Sequence, residues 1–456
     1  MGNPVLKLMK TVTTILRNGK CWLLLFAVLV FSAPAVAQQI YVDDEGVLKH
    51  SDSDQEAAFF GVNYSPPFAH SFRAINRLGN DHKQVIDQDA YHFARLGFDG
   101  FRIHVWDTEI SDSLGHVVNN NHLDLLDYML AKFKQRGIKV ILTPLTFYDN
   151  GYPEEPTETN GFANYITKGD APEESEHWPV IRRYLNEFIN HKNPYTGLTY
   201  KEDPNILALE IVNEPAHGGD QDSLTSYVNM LADHLRDNSW EKPIFYNISQ
   251  NPPMAEGVMN ADIDGTTFQW YPGGLVGGET ITKNYLPDIS EYSIPFADKQ
   301  AFNTKAQMVY EFSAADVMGS YALPAMARSF RAAGFQWATQ FAYDPMAMGA
   351  YNTDYRTHYL NMAYTPAKAI SMKIASAAFH HLPRGKSYGP YPGNNTFGDF
   401  EVSHRRDLSI LNADTAFFYS NDTEADPKDA QVAKACRRRG VVAGSVVRGH
   451  RCILFG

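Results

Sequence analysis

The sequence predicts an α/β protein: a (β/α)8 TIM barrel with a short, truncated β extension at its C-terminal end. Three observations point there. Between Phe59 and Pro345, short apolar runs alternate with amphipathic stretches, the pattern of repeated βα units around a parallel sheet. Eight such runs span about 285 residues, which suits a barrel of roughly 250 residues with insertions. No Gly-rich phosphate loop follows the first run, so the competing doubly wound open sheet lacks support.

The elements follow in order. Residues 1–37 read as a secretory signal: Lys7, Lys10, Arg17 and Lys20 form a basic start, Cys21 to Phe31 is an apolar run of 11, and Ala35-Val36-Ala37 is a small-x-small cleavage site. The run is shorter than the roughly 20 residues a membrane-spanning helix needs. The expectation is an exported protein, secreted or periplasmic, with no membrane span after cleavage at Ala37. The first strand is expected over Phe59 to Ser65 and the second over Gly100 to Val105, after a helix near Asp89 to Leu96. A helix over His122 to Arg136, stopped by Gly137, precedes a third strand at Lys139 to Leu145. A helix near His177 to His191 leads to the fourth strand, Ile206 to Asn213. Strands five to seven are Pro243 to Ser249, Thr266 to Tyr271 and Gln307 to Ser313. A helix at Ala322 to Ala333 precedes strand eight, Phe335 to Tyr343. Two long connections, Thr146 to His177 and Pro272 to Ala306, leave C-terminal strand ends, where barrel enzymes build substrate walls.

Beyond the barrel, taken as residues 38–382 with a closing helix at Pro366 to Phe379, a Gly/Pro-rich linker runs over 383–399. A partial β-domain occupies 400–435, too short to complete a sheet of its own. The tail, 436–456, holds five Arg and no acidic residue and reads as atypical, even out of frame. Without the signal and the tail, 31 basic residues face 52 acidic ones, a balance of −21 that argues against a nucleic-acid partner. Residues 38–435 lack cysteine, so thiolate chemistry is excluded there. His-x-His and HExxH spacings do not occur, and no Gly-x-Ser-x-Gly follows a predicted strand. No metal site and no cofactor are expected.

The chemistry concentrates at two strand ends. Ile206-Leu207-Ala208-Leu209-Glu210-Ile211-Val212-Asn213-Glu214-Pro215 is a buried strand running into Asn-Glu-Pro, where Pro215 ends the ladder and displays Glu214. Gln307-Met308-Val309-Tyr310-Glu311-Phe312-Ser313 closes another apolar strand with an ionisable group, 97 residues downstream. Two carboxyls raised across one barrel mouth fit glycoside hydrolysis, in which a retaining mechanism needs them about 5–5.5 Å apart. Asn213 could donate to a sugar hydroxyl. Glu210 shares the parity of Glu214 but lies deeper and reads as a structural partner. Trp106, Trp270 and Tyr148 are candidate sugar-stacking rings by position.

Over residues 57–380 the chain resembles glycoside hydrolase family 5, or a close relative among the clan A (β/α)8 retaining β-glycosidases. The anchors are Asn213-Glu214-Pro215 and Glu311. The resemblance implies Glu214 as general acid/base and Glu311 as nucleophile. It implies that Arg102, in Phe101-Arg102-Ile103-His104, holds the nucleophile ionised, and that the Tyr271 hydroxyl bonds to it. Trp337 is the candidate for the strand-eight aromatic that floors the first sugar subsite. The sequence departs from the family pattern after strand three, where no histidine follows, and at Gln269, where a histidine is common. The implied activity is a secreted glycoside hydrolase acting on β-linked poly- or oligosaccharide. Mannan, glucan and galactan all stay open, as does endo or exo action. The competing readings are a barrel that binds carbohydrate without cutting it and an enzyme inactivated by its foreshortened C-terminus.

Overall fold

A computed structural model describes residues 40–64, 67–148, 159–248, 252–272, 274, 279, 281–351, 359–428, 444–447 and 451–454. The signal segment, Gly273, Gly277, Gly278 and most of the basic tail lie outside the described residues. Eight parallel strands form the barrel: β1 Phe59–Val62, β2 Gly100–His104, β3 Lys139–Thr143, β4 Ile206–Glu210, β5 Ile244–Asn247, β6 Gly265–Trp270, β7 Ala306–Phe312 and β8 Trp337–Gln340. Each falls inside or within a residue of an expected run. The ladder order is β1-β8-β7-β6-β5-β4-β3-β2, and the ring closes between β1 and β2 through one bridge, Asn63 to Arg102.

That seam is tight for a covalent reason. A Cβ on Gly61 would lie 2.2 Å from the Gly100 carbonyl oxygen, and one on Gly100 would lie 2.4 Å from Phe59 Cβ. Only glycines let the two backbones approach this closely. The strands are buried on both faces, which is why they read as near-continuous apolar runs. Inward-facing Phe59, Ile141, Leu207, Phe245, Met308 and Trp337 fill the interior below the mouth. Outward residues such as Phe60, Ile103, Leu142, Leu209 and Val309 join the core shared with the helices.

β7 carries one residue too many for its neighbours. Its pairing steps from Phe268↔Val309 to Trp270↔Phe312 on one side and from Ala338↔Val309 to Gln340↔Phe312 on the other. The extra residue falls at Tyr310-Glu311. Met308 and Tyr310 point inward and Val309 and Phe312 outward, so the bulge lets Glu311 join Tyr310 on the inner side, a re-aiming typical of bulges beside functional sites.

Helices wrap the barrel where expected. Asp81 caps His82–Leu96, Asn120 caps Asn121–Gln135 and Asp220 caps Gln221–Asp237, each side chain accepting a backbone N–H of the first turn. The helix Pro366–His381 closes the layer. The C-terminal extension is a six-stranded antiparallel sheet: Thr396–Phe397, Phe400–Ser403, Leu408–Ala413, Ala416–Tyr419, Gly444–Val447 and Arg451–Leu454. Two of these strands come from the basic tail, to which the sequence assigned no element. The segment expected as a linker is tied to the barrel, with Gly385 N donating to Arg331 O at 2.8 Å and Arg328 Nη1 donating to Asn394 O. Among the described residues, no helix is long and apolar enough to cross a membrane.

Candidate active site

Arg102, the third residue of β2, organises the barrel mouth from a fully buried position. Alternation along β2 turns Arg102 and His104 inward while Phe101 and Ile103 face the helices. Nε donates to Glu210 Oε2 at 2.5 Å, and Nη2 pairs with the same oxygen. Nη1 reaches Glu311 Oε1 and Asn63 Oδ1, each at 3.2 Å, and Nη2 donates to Asn213 Oδ1 at 3.0 Å. Its guanidinium also lies 4.5 Å from the centre of the Tyr310 ring. A cation removed from water persists only with partners of this number and geometry. Glu210 accepts further bonds from Thr143 Oγ1 at 2.8 Å, Asn247 Nδ2 at 3.1 Å and Thr267 Oγ1. It is a saturated counter-ion deep in the barrel.

Glu311 is 6% exposed. Its Oε2 accepts the Tyr271 hydroxyl at 2.8 Å, while Oε1 faces Arg102 and lies 3.4 Å from His104 Nε2. Burial pushes its carboxyl from 4.5 up to about 7, against the pull of Arg102 and the Tyr271 hydrogen bond. Burial and then Arg102 hold His104 well below the usual histidine range, so it stays neutral, with Nε2 accepting from Arg102 Nη1. Glu214 follows β4 by a short irregular step. Asn213 N donates to Leu145 O at 2.8 Å, and Glu214 then takes a left-handed backbone at φ 43°, uncommon for a residue with a Cβ. The Tyr310 hydroxyl donates to Glu214 Oε1 at 2.8 Å.

The two carboxyls are linked through Arg102, which contacts Glu311 at 3.2 Å and lies 4.5 Å from the ring of Tyr310, whose hydroxyl holds Glu214. Burial lowers the Lys168 ammonium, opposed by the carboxylates of Glu214, Asp107 and Glu311. Burial raises the Tyr271 phenol, helped by Glu311 and then Glu214. One wall of the mouth is the start of the connection after β3. Asp107 accepts from Thr146 Oγ1 at 2.9 Å and Phe147 N at 3.0 Å, which fixes the root of Tyr148. The Tyr148 hydroxyl accepts from Asn213 Nδ2 at 2.9 Å, and Lys168 Nζ stands 5.0 Å from its ring centre. Residues 149–158 of this connection lie outside the described residues.

The structure thus brings Arg102, Asn213, Glu214, Tyr271 and Glu311 to one mouth and sends two tryptophans elsewhere. Trp337 opens β8 at its N-terminal end, is fully buried and packs 4.6 Å from Phe59 in the barrel interior, so it faces no cleft. The aromatic at the other end of β8 is Phe341, half-buried, its ring stacked on His104 at 6.2 Å. Trp270 is one residue out of phase. Thr267, Gln269 and Tyr271 face inward, which turns Trp270 onto Tyr292 at 4.7 Å and Phe330 at 5.3 Å in the helix layer. Trp106 is 3% exposed and packs edge-on against Tyr148 at 5.4 Å, backing that ring. Sequence reasoning overlooked His104, Tyr310, Lys168 and Phe341, and it noted Gln269 only as a departure from the family pattern. Period-2 spacing from Arg102 and from Tyr271 was enough to place His104 and Gln269 inward. Nothing local marks Lys168 or the bulge at Tyr310.

No family model matches the chain. In sequence it is 27% identical over 190 residues to mannan endo-1,4-beta-mannosidase 1 of Oryza sativa subsp. japonica, covering 38% of this chain and 39% of that protein. It is 30% identical over 172 residues to mannan endo-1,4-beta-mannosidase 1 of Arabidopsis thaliana, covering 36% and 38%. The match spans about two fifths of the length of these curated relatives. Among solved structures, the endo-1,4-beta-mannanase from Rhizomucor miehei superposes with a TM-score of 0.54 at 15% identity, covering 75% of this chain and 98% of that one. The glycoside hydrolase family 5 mannosidase from Rhizomucor miehei gives 0.56 at 15% identity, covering 75% and 98%. The chain is therefore similar in part of its sequence to plant mannan endo-1,4-beta-mannosidases and in fold to a family 5 enzyme, and it resembles the clan A (β/α)8 glycoside hydrolases of family 5.

Proposed function

We propose that this chain is a retaining β-mannanase that cleaves β-linked mannan by double displacement. One observation carries the reading: Glu214 and Glu311, from strand ends 97 residues apart, are each fixed by a tyrosine hydroxyl at 2.8 Å, and Arg102, which contacts Glu311 at 3.2 Å, lies 4.5 Å from the ring of Tyr310, the tyrosine that holds Glu214. Glu311 attacks the anomeric carbon and forms a glycosyl ester, while Glu214 gives its proton to the departing glycosidic oxygen. Glu214, now a carboxylate, takes a proton from water as that water attacks the anomeric carbon and the bond to Glu311 breaks. The sugar leaves with its β configuration, and both residues return to their starting states.

The surrounding residues supply electrostatics and fit. Arg102 and Tyr271 donate to Glu311 and favour the charged form the attack requires. Asn213 has a second amide hydrogen beyond the one given to Tyr148, which suits a sugar hydroxyl. Phe341 takes the stacking role expected of Trp337. Mannan is chosen over glucan and galactan because the sequence relatives are named for mannan. The signal-like segment supports export to where such polymers occur.

The test is cleavage of mannan, β-glucan and β-galactan by the purified chain, with product sizing and anomer assignment by NMR. Mannan should yield short products whose β anomer appears first. Glu311→Ala should lower turnover by roughly 10³-fold or more, and added azide should restore release of the leaving group while giving an α-glycosyl azide. Glycan binding without cleavage would favour the non-catalytic barrel. Chelator-sensitive activity that survives Glu214→Gln would favour a metal-dependent hydrolase.

A further inference from the structure

Resting on that reading, we infer that Tyr310 is the positioning residue of the acid/base: its hydroxyl, held between Glu214 and Gln269, turns from one to the other as Glu214 gains and loses its proton. The phenolic oxygen lies 2.8 Å from Glu214 Oε1 and 3.0 Å from Gln269 Oε1. It has one hydrogen to give and lone pairs to accept with. An ionised Glu214 only accepts, so Tyr310 donates to it. A protonated Glu214 can donate its own O–H to the phenolic oxygen, and the phenolic hydrogen then passes to the Gln269 carbonyl oxygen. A retaining cycle needs both forms of Glu214 in every turnover, and in each the carboxyl keeps a hydrogen bond to the same fixed atom.

The frame suits that task. The Tyr310 ring is held face-on by Arg102 at 4.5 Å. Its backbone carbonyl accepts Asn63 Nδ2 at 2.9 Å and Thr339 Oγ1 at 2.6 Å. The hydroxyl can rotate while the ring stays. Gln269 is held through its backbone carbonyl by the Tyr292 hydroxyl at 2.9 Å. The bulge in β7 sets Tyr310 beside Glu311, so one irregularity aims the nucleophile and the partner of the acid/base together. Gln269 stands where the resembled family commonly has a histidine. An amide there supplies an acceptor without a second group that titrates near neutrality.

Two variants make opposite demands. Tyr310→Phe removes a donor that the charged form uses most, because hydrogen bonds to ionised groups are the stronger ones. It should move the basic limb of kcat/KM upward by about 0.5–1 pH unit. Gln269→Met removes the acceptor needed only when Glu214 is protonated, and should move that limb downward by a similar amount. With Tyr310→Phe, kcat/KM for mannobioside bonds should fall about tenfold or more, while a dinitrophenyl β-mannoside, which needs little acid assistance, should change by about twofold or less. Thermal melts of both variants check folding, and the opposite pH shifts separate positioning from simple damage. Unmoved basic limbs, shifts of the same sign, or equal losses on both substrates would overturn the inference while leaving the two-glutamate reading standing. A wild type inert on both substrates, or a basic limb that survives Glu214→Gln, would overturn that reading and this inference with it.

Discussion

Arg102 decides the electrostatics of the mouth residue by residue. It serves two buried carboxylates, and they are not equivalent. Glu210 takes two contacts from the guanidinium and three more from Thr143, Asn247 and Thr267, whereas Glu311 takes one contact at 3.2 Å. The arginine is anchored by the deeper acid and only shared with the outer one, so burial wins at Glu311 and its carboxyl sits at about 7 rather than 4.5. On the proposed double displacement, in which Glu311 must attack as a carboxylate, kcat/KM should therefore fall tenfold per pH unit below about 7. The same shift has a stability consequence of fixed sign. A folded-state value raised above the unfolded one favours folding at low pH, and that contribution is lost as pH rises from about 4.5 through 7. Glu311→Gln does not titrate. Its stability relative to wild type should rise between pH 4 and pH 8 by up to about 3 kcal/mol, measured as denaturant midpoints at the two pH values. A difference that stays flat or shrinks with pH would show that Glu311 is not held in its protonated form by burial.

Elements are where the sequence is most and least transparent. The barrel strands were legible because both faces are buried, so each appears as an apolar run such as Ile206-Leu207-Ala208-Leu209 with nothing to confuse it. Glu214 was legible because the apolar run gives way to Asn213-Glu214-Pro215, and a proline cannot extend a ladder. The misplaced tryptophans come from different causes. Trp270 falls on the wrong face by a parity that Tyr271 already fixed, while Trp337 required knowing that β8 begins there rather than at Phe335. The bulge at Tyr310-Glu311 could not be read at all. It exists only in the register of β7 against two neighbours, and strict alternation would have turned Glu311 outward with Val309. Closure of the ring was equally silent, since Gly61 and Gly100 look like ordinary strand glycines until the strands are paired. Gly61→Ala tests that seam. Its methyl carbon would meet a backbone oxygen at 2.2 Å, and no rotamer can relieve it. The β1–β2 join must part, lowering stability by about 1–3 kcal/mol or more and displacing Arg102, which bridges to Asn63 there. An alanine variant with an unchanged urea midpoint would mean the seam is looser than this packing requires.

At the scale of the molecule, the C-terminal sheet acts as a brace for the barrel. Phe397, Phe400, Val402, Leu411 and Phe418 belong to the same apolar core as Met372, Ile374 and Phe379 of the helix Pro366–His381. The Arg328 guanidinium lies 5.2 Å from the Phe397 ring centre and Lys373 Nζ 4.9 Å from that of Phe418. The polar contacts converge on Ser320, whose N–H donates to Asp407 Oδ1 at 2.6 Å and whose hydroxyl meets Ser420 Oγ at 2.7 Å. Ser320 lies nine residues after Glu311 in the connection leaving β7. The sheet therefore fixes the far end of the loop that begins just after Glu311. Burial of an aromatic or branched side chain is worth about 1.5–3 kcal/mol, against a total stability of about 5–15 kcal/mol, so a barrel stripped of five such partners has little margin. A chain ending at Leu382 should melt about 10 °C or more below the full chain, bind a hydrophobic dye and lose most of its glycoside hydrolase activity. The full chain should melt in one calorimetric transition, since barrel and sheet share their core. Two separate transitions, or a shortened chain that melts with the parent and keeps its activity, would make the sheet a passenger rather than a brace.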